Sequence, residues 1–149
     1  MPRTARFLVP GIPPSPNRSW GRSWQAGARD VEGWRNRAGI ALHRALKDRT
    51  WDGRPFRRAH VTFRFFYPDK RHRDPDNAMS SVKRLWDLFR PSDLQKRYGQ
   101  APFVFWDDDW EHIPIATVEY GGVDRKSPRV EITVVEIETD EKGATAVLG

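Results

Sequence analysis

Two groups of acids carry most of the chemistry this sequence can offer. Asp74-Pro75-Asp76-Asn77 follows the basic run Lys70-Arg71-His72-Arg73, and Trp106-Asp107-Asp108-Asp109-Trp110-Glu111 comes later in the chain. Two carboxylates two residues apart suit a single oxygen-preferring cation such as Mg²⁺ or Mn²⁺. Three consecutive acids repel one another, and a bound cation relieves that repulsion. If the two groups fold together, carboxylates hold one or two divalent ions, the ions activate water and steady a leaving oxygen, and Lys or Arg neutralises a phosphate, an arrangement suited to phosphodiester hydrolysis. Each group also has a plain structural reading. Asp74 can cap a helix whose first residue is Pro75, and residues 107–109 can be a solvated acidic turn. Of the scattered His43, His60, His72 and His112, the ring beside each acidic group, His72 and His112, is a candidate to orient it.

Other chemistries lack their residues. There is no cysteine, which excludes thiolate metal sites, disulfides and thiol nucleophiles and makes a reducing, intracellular setting the default. No phosphate-binding Gly-x-x-x-x-Gly-Lys-Ser/Thr loop and no His-Glu-x-x-His pair occurs, and Asp74-x-Asp76-Asn77 lacks the Gly and distal Glu of a calcium loop. The formal net charge of +6 makes a polyanion the first partner to consider. No apolar run has the roughly 20 residues of a membrane span, and the start, Met1-Pro-Arg-Thr-Ala-Arg, does not lead into a signal-peptide core. A soluble, cytoplasmic protein is expected.

The elements that must position these acids follow from periodicity. Phe7-Leu8-Val9 reads as a short strand ended by Pro10-Gly11, and the proline-rich stretch 13–17 as a stiff loop. Val31, Trp34, Ala38, Ala41, Leu42 and Ala45 make one stripe of a helix over 31–48. Val61, Phe63, Phe65 and Tyr67 alternate with Thr62, Arg64 and Phe66, the pattern of a strand with one buried face. Met79, Val82, Leu85, Trp86 and Phe89 predict a second helix that opens at the acidic loop and ends at Pro91. Residues 90–101 read as an inserted surface loop. Two late strands, one through Ile113, Ile115 and Thr117 and one through Val130, Ile132 and Val134, are expected to form a hairpin around Gly121-Gly122. The whole reads as one α+β domain, a mixed sheet with two main helices on one face, ordered over about 7–137 with a flexible tail from 138 to 149. The chain has seven tryptophans, and none is singled out for stacking on bases, since burial is their commoner use.

Three motifs in order resemble the RusA family of Holliday-junction resolvases. They are Pro13-Pro14-Ser15-x-Asn17 after the first strand, Lys70-Arg71-His72-Arg73 leading into Asp74-x-Asp76-Asn77, and Phe105-Trp106-x-Asp108-Asp109 before the last strands. The middle motif is the most specific, and the match runs from Phe7 to Ile137. The resemblance implies a homodimer that nicks opposed strands of a four-way DNA junction with Mg²⁺, Mn²⁺ being the possible substitute, and a bacterial, phage or prophage origin. It implies that Asp74 and Asp76 are the catalytic, metal-binding pair, that Asp109 is the third acid with Asp108 its metal-binding neighbour, and that Asn17, Arg18, Lys70, Arg71 and Arg73 meet DNA. Asp107 stands where the family more often has an apolar residue.

The chain departs from the family at two places. Where the family can carry a catalytic lysine, four residues after Asp76, this chain has Ser80, and Lys83, one turn further along, is the candidate to reach the phosphate. The connection from Arg90 to Ala101 is longer and brings basic residues of its own, Arg90, Lys96 and Arg97. The alternative to a nuclease is a non-catalytic DNA-binding protein whose acids cap helices or hold a structural cation. A third, weaker reading is an interaction protein whose basic surface only keeps it soluble.

Overall fold

A computed structural model describes residues 2–13, 24–91, 102–107 and 109–138, with side chains left aside at 24–32, 84 and 88. In chain order the elements are β1 (Thr4–Pro10), α1 (Trp24–Lys47), β2 (Ala59–Tyr67), α2 (Pro75–Phe89), β3 (Ile115–Val123) and β4 (Arg129–Glu136). One mixed sheet has the order β1-β4-β2-β3. β4 pairs antiparallel with both β1 and β2, and β2 pairs parallel with β3. This is an α+β domain with two helices. α1 begins seven residues before the stripe that first marks it in the sequence, since residues 24–30, Trp-Gln-Ala-Gly-Ala-Arg-Asp, carry a glycine and small alanines that give no clear helical period.

Alternation decides the inner face of the sheet. Ala5, Phe7 and Val9 of β1 stand opposite Val134, Ile132 and Val130 of β4, which in turn face Val61, Phe63 and Phe65 of β2. All nine are buried, as are Trp34, Ala38, Ala41, Leu42 and Ala45 of α1 and Val82, Leu85 and Phe89 of α2. At roughly 25 cal/mol per Å² of apolar surface, this shared burial is what fixes register, because a slip of one residue would turn each strand's apolar set to solvent. Met79 breaks the expected α2 stripe by facing solvent. Ala78 and Ser81 are buried in its place, Ser81 with its hydroxyl donating to the Ala78 carbonyl at 2.9 Å. Trp51 belongs to the core and sets its ring edge-on to Phe7.

The late strands do not form the expected hairpin. β2 lies between β3 and β4, and the chain turns over residues 124–128, where Asp124 accepts from the backbone of Lys126 and Ser127 and from Arg129. Gly121-Gly122 lies inside β3, as a bulge opposite Phe65 and Phe66. A Cβ on Gly121 would stand 2.8 Å from the Phe66 ring and 2.9 Å from the Phe65 carbonyl, and Gly122 has φ of 123°. Glycine therefore serves close approach here rather than a hairpin turn.

Two further features tie the layers together. Arg3 donates to Asp52 at 2.7 Å, to Glu136 at 3.2 Å and to the carbonyls of Arg54 and Pro55, with its guanidinium over the Phe56 ring. The segment after α2 folds against the start of β2. Val104 donates to Phe89, Phe56 to Val104, and Ala59 to the His112 carbonyl at 2.9 Å. Among the described residues no helix is long and apolar enough to cross a membrane.

Candidate metal and nucleic-acid site

The N-terminus of α2 holds the first acids. Asp74 takes the N-cap position with extended backbone and Pro75 begins the helix, yet the Asp74 carboxylate makes no capping hydrogen bond. It meets His72 Nε2 at 3.1 Å and is more than half exposed. Asp76 lies in the first helical turn, exposed, with no hydrogen bond or ion pair among the described residues. The positive end of the helix favours both negative charges. Two side chains that contribute only oxygen fit a hard cation such as Mg²⁺. Lys83 is exposed on the same helix. Seven residues beyond Asp76, it shares that residue's face about 10 Å along the axis.

The basic approach is built by a residue the motif reading passed over. Asp69 accepts from the Arg71 amide at 3.1 Å and from Arg73 at 2.7 Å, and these bonds hold its carboxyl below the usual range. Arg73 also donates to the carbonyls of Asp69 and Arg71 and lies 4.3 Å from the centre of the Tyr67 ring. It is committed to shaping the loop. Lys70 and Arg71 are the exposed cations of the run, Arg71 with a loose partner in Asp69 at 3.6 Å. The only sequence signal for Asp69 was its place after Pro68 at the end of a strand.

Of the later acids, Asp107 and Asp109 are partnered. Asp107 accepts from Arg90 at 3.3 Å. Asp109 accepts from the His112 backbone at 3.0 Å and from its ring Nδ1 at 2.6 Å, and its carbonyl accepts from Ile113 at 2.8 Å. These bonds close a turn, and the two from His112, its side chain first, hold the Asp109 carboxyl below its ordinary value. Asp109, Glu111 and His112 each offer one ligand atom, all within 4.8 Å of one another. That set of two oxygens and one nitrogen suits Mn²⁺ better than Mg²⁺.

Among the described residues, the two acidic groups do not converge within one chain. Asp74 and Pro75 border a cavity with Tyr67 and Tyr120, at the end of β2 and in the C-terminal half of β3. The turn containing Asp109 adjoins Ala59, where β2 begins. The groups therefore flank opposite ends of α2, whose 15 residues span about 22 Å. Asn17, Arg18, Asp108, Lys96, Arg97 and the expected tail from 139 onward lie outside the described residues. No family model and no curated protein matches the chain.

Proposed function

We propose that the chain is a divalent-metal-dependent endonuclease that hydrolyses phosphodiester bonds in branched DNA, four-way junctions above all, as a homodimer. The observation that supports this reading is the condition of Asp74 and Asp76, two solvent-facing carboxylates at a helix N-terminus that, among the described residues, do not cap the helix and have the His72 ring beside Asp74 as their one side-chain partner. Capping was their simplest structural use, and Asp74 does not perform it. When bound there, Mg²⁺ or Mn²⁺ supplies an activated water and charge relief for the leaving oxygen. Lys70 and Arg71 bind flanking phosphates, and Lys83 stands in for the lysine absent at Ser80.

Carboxylates that share one ion lie within about 5 Å of each other, far less than the span of α2. A homodimer resolves the discrepancy if Asp74 and Asp76 of one protomer meet Asp109 of its partner, so that each site draws on both chains. The same separation, with Asp109 occupied in closing its own turn, favours a second reading, a DNA-binding protein without catalysis. Cleavage of a labelled synthetic four-way junction beside matched linear duplex separates the two. Paired nicks that need Mg²⁺ or Mn²⁺, and that vanish with chelator and in Asp76→Asn, support the nuclease. Tight binding without cuts in either metal supports the second reading.

A further inference from the structure

The surface beside Asp74 is aromatic as well as charged. The rings of Phe65 and Tyr67 stack with centroids 5.9 Å apart and planes at 17°, and Tyr67 and Tyr120 stack at 6.0 Å and 24°. Phe65 and Tyr67 are buried, whereas Tyr120 is 67% exposed. The series therefore starts in the core and ends in water. Arg73 packs over Tyr67 and fixes the middle ring. After Tyr120 come Gly121 and Gly122, which have no side chains with which to cover it. A cavity of about 140 Å³ opens between Tyr120, Arg73, Asp74, Pro75 and Ala78, with Glu119 at its border ion-paired to Arg64.

An exposed aromatic ring on an edge strand is not required by the fold, and its setting narrows what would cover it. The adjoining loop presents Lys70 and Arg71 to solvent, so the occupant is flat, apolar on its face and attached to negative charge. A nucleobase meets all three conditions, and every base has a face that can stack. We propose that Tyr120 is the platform on which an unpaired base of the branched substrate stacks, with Lys70 and Arg71 on the adjoining phosphates. This inference rests on the branched-DNA reading. It adds a contact that distinguishes unpaired from duplex DNA and places the strand beside Asp74.

The test compares wild type, Tyr120→Leu and Tyr120→Phe for binding to a four-way junction and to linear duplex over a range of salt, in Ca²⁺ so that binding is read without turnover, with circular dichroism to confirm folding. Stacking predicts that Tyr120→Leu weakens junction binding about 5- to 150-fold, the equivalent of about 1–3 kcal/mol. Duplex binding and the salt slope should hold, and Tyr120→Phe should restore affinity. A second readout is 2-aminopurine placed at the branch point, whose fluorescence should be quenched by wild type and Tyr120→Phe and left bright by Tyr120→Leu. Unchanged junction affinity in Tyr120→Leu, equal loss on duplex, or a shallower salt slope would overturn the assignment, the last because it reports lost phosphate contacts. If Tyr120→Leu fails to fold, the quenching pattern of wild type and Tyr120→Phe decides, and an unquenched branch-point base overturns it. Wild type that binds no DNA overturns this inference and the nuclease reading together, whereas cleavage that survives in Tyr120→Leu with unchanged affinity overturns this inference alone.

Discussion

The two ends of α2 hold the same kind of residue in opposite circumstances. At the C-terminal end the acids are employed, Asp107 with Arg90 and Asp109 as the acceptor that closes its own turn with His112. At the N-terminal end Asp76 has no partner among the described residues and Asp74 has only the His72 ring. Carboxylates already satisfied by the protein contribute to local order, while carboxylates left to solvent at the positive end of a helix remain available to a cation. Proximity in the sequence motif conceals that difference.

The largest expected effect tests the unpartnered end. Asp76→Asn should reduce junction cleavage by at least about 100-fold while shifting unfolding stability by less than about 1 kcal/mol, read by strand-nicking assays beside urea titrations. A large stability loss would mean that Asp76 is structural after all. Co-expression of Asp76→Asn with Asp109→Asn separates sites shared between two chains from sites within one. If each site draws acids from both chains, the mixed dimer rebuilds one intact site and recovers nicks in a single strand, whereas sites within one chain stay silent. Next in size, Lys83→Ala should slow cleavage by about tenfold, with junction affinity nearly unchanged.

At the partnered end, Asp109→Ala should lower the chemical-denaturation midpoint more than Asp76→Asn does, through the loss of its two hydrogen bonds from His112. The smallest effect concerns acid. Burial pushes the Asp52 carboxyl up, but hydrogen bonds from Arg3 and Arg54 outweigh it and bring the group to about 2. Because that value lies below the unfolded one, the contribution of Asp52 is complete above about pH 4 and is lost as pH falls towards 2. Denaturation midpoints at pH 5 and pH 2.5 should differ less in Asp52→Asn than in wild type.

Much of the fold was legible because burial imposes periodicity. The inner faces of β2 and β4 and the stripe of α1 were visible as alternation and helical spacing, and each of their described members is buried, whereas β1 showed only as the apolar run Phe7-Leu8-Val9, whose middle residue faces solvent. The position of β3 was not legible. Alternation says that a strand exists but not which strand it pairs with, and Gly121-Gly122 mark a close approach to Phe65 and Phe66 as readily as a turn. At the candidate site the acids stood out by residue type, while the distance between them did not, since it depends on α2 starting beside the end of β2 and delivering the later acids to the place where β2 begins. Asp69 and Tyr120 were missed for a similar reason. A single acid in a turn and a single tyrosine in a strand carry no signal until the loop and the ring beneath them are seen.

The bulge in β3 has a further consequence, for assembly. β3 ends the strand order of the sheet, and a regular outer strand offers its backbone groups to any passing chain. The register shift between Phe65 and Phe66 and the left-handed φ of Gly122 disturb that row of donors and acceptors towards its C-terminal end. That end of the β3 edge is thereby a poor template for a further strand, so an approaching chain finds no continuous row of backbone partners there.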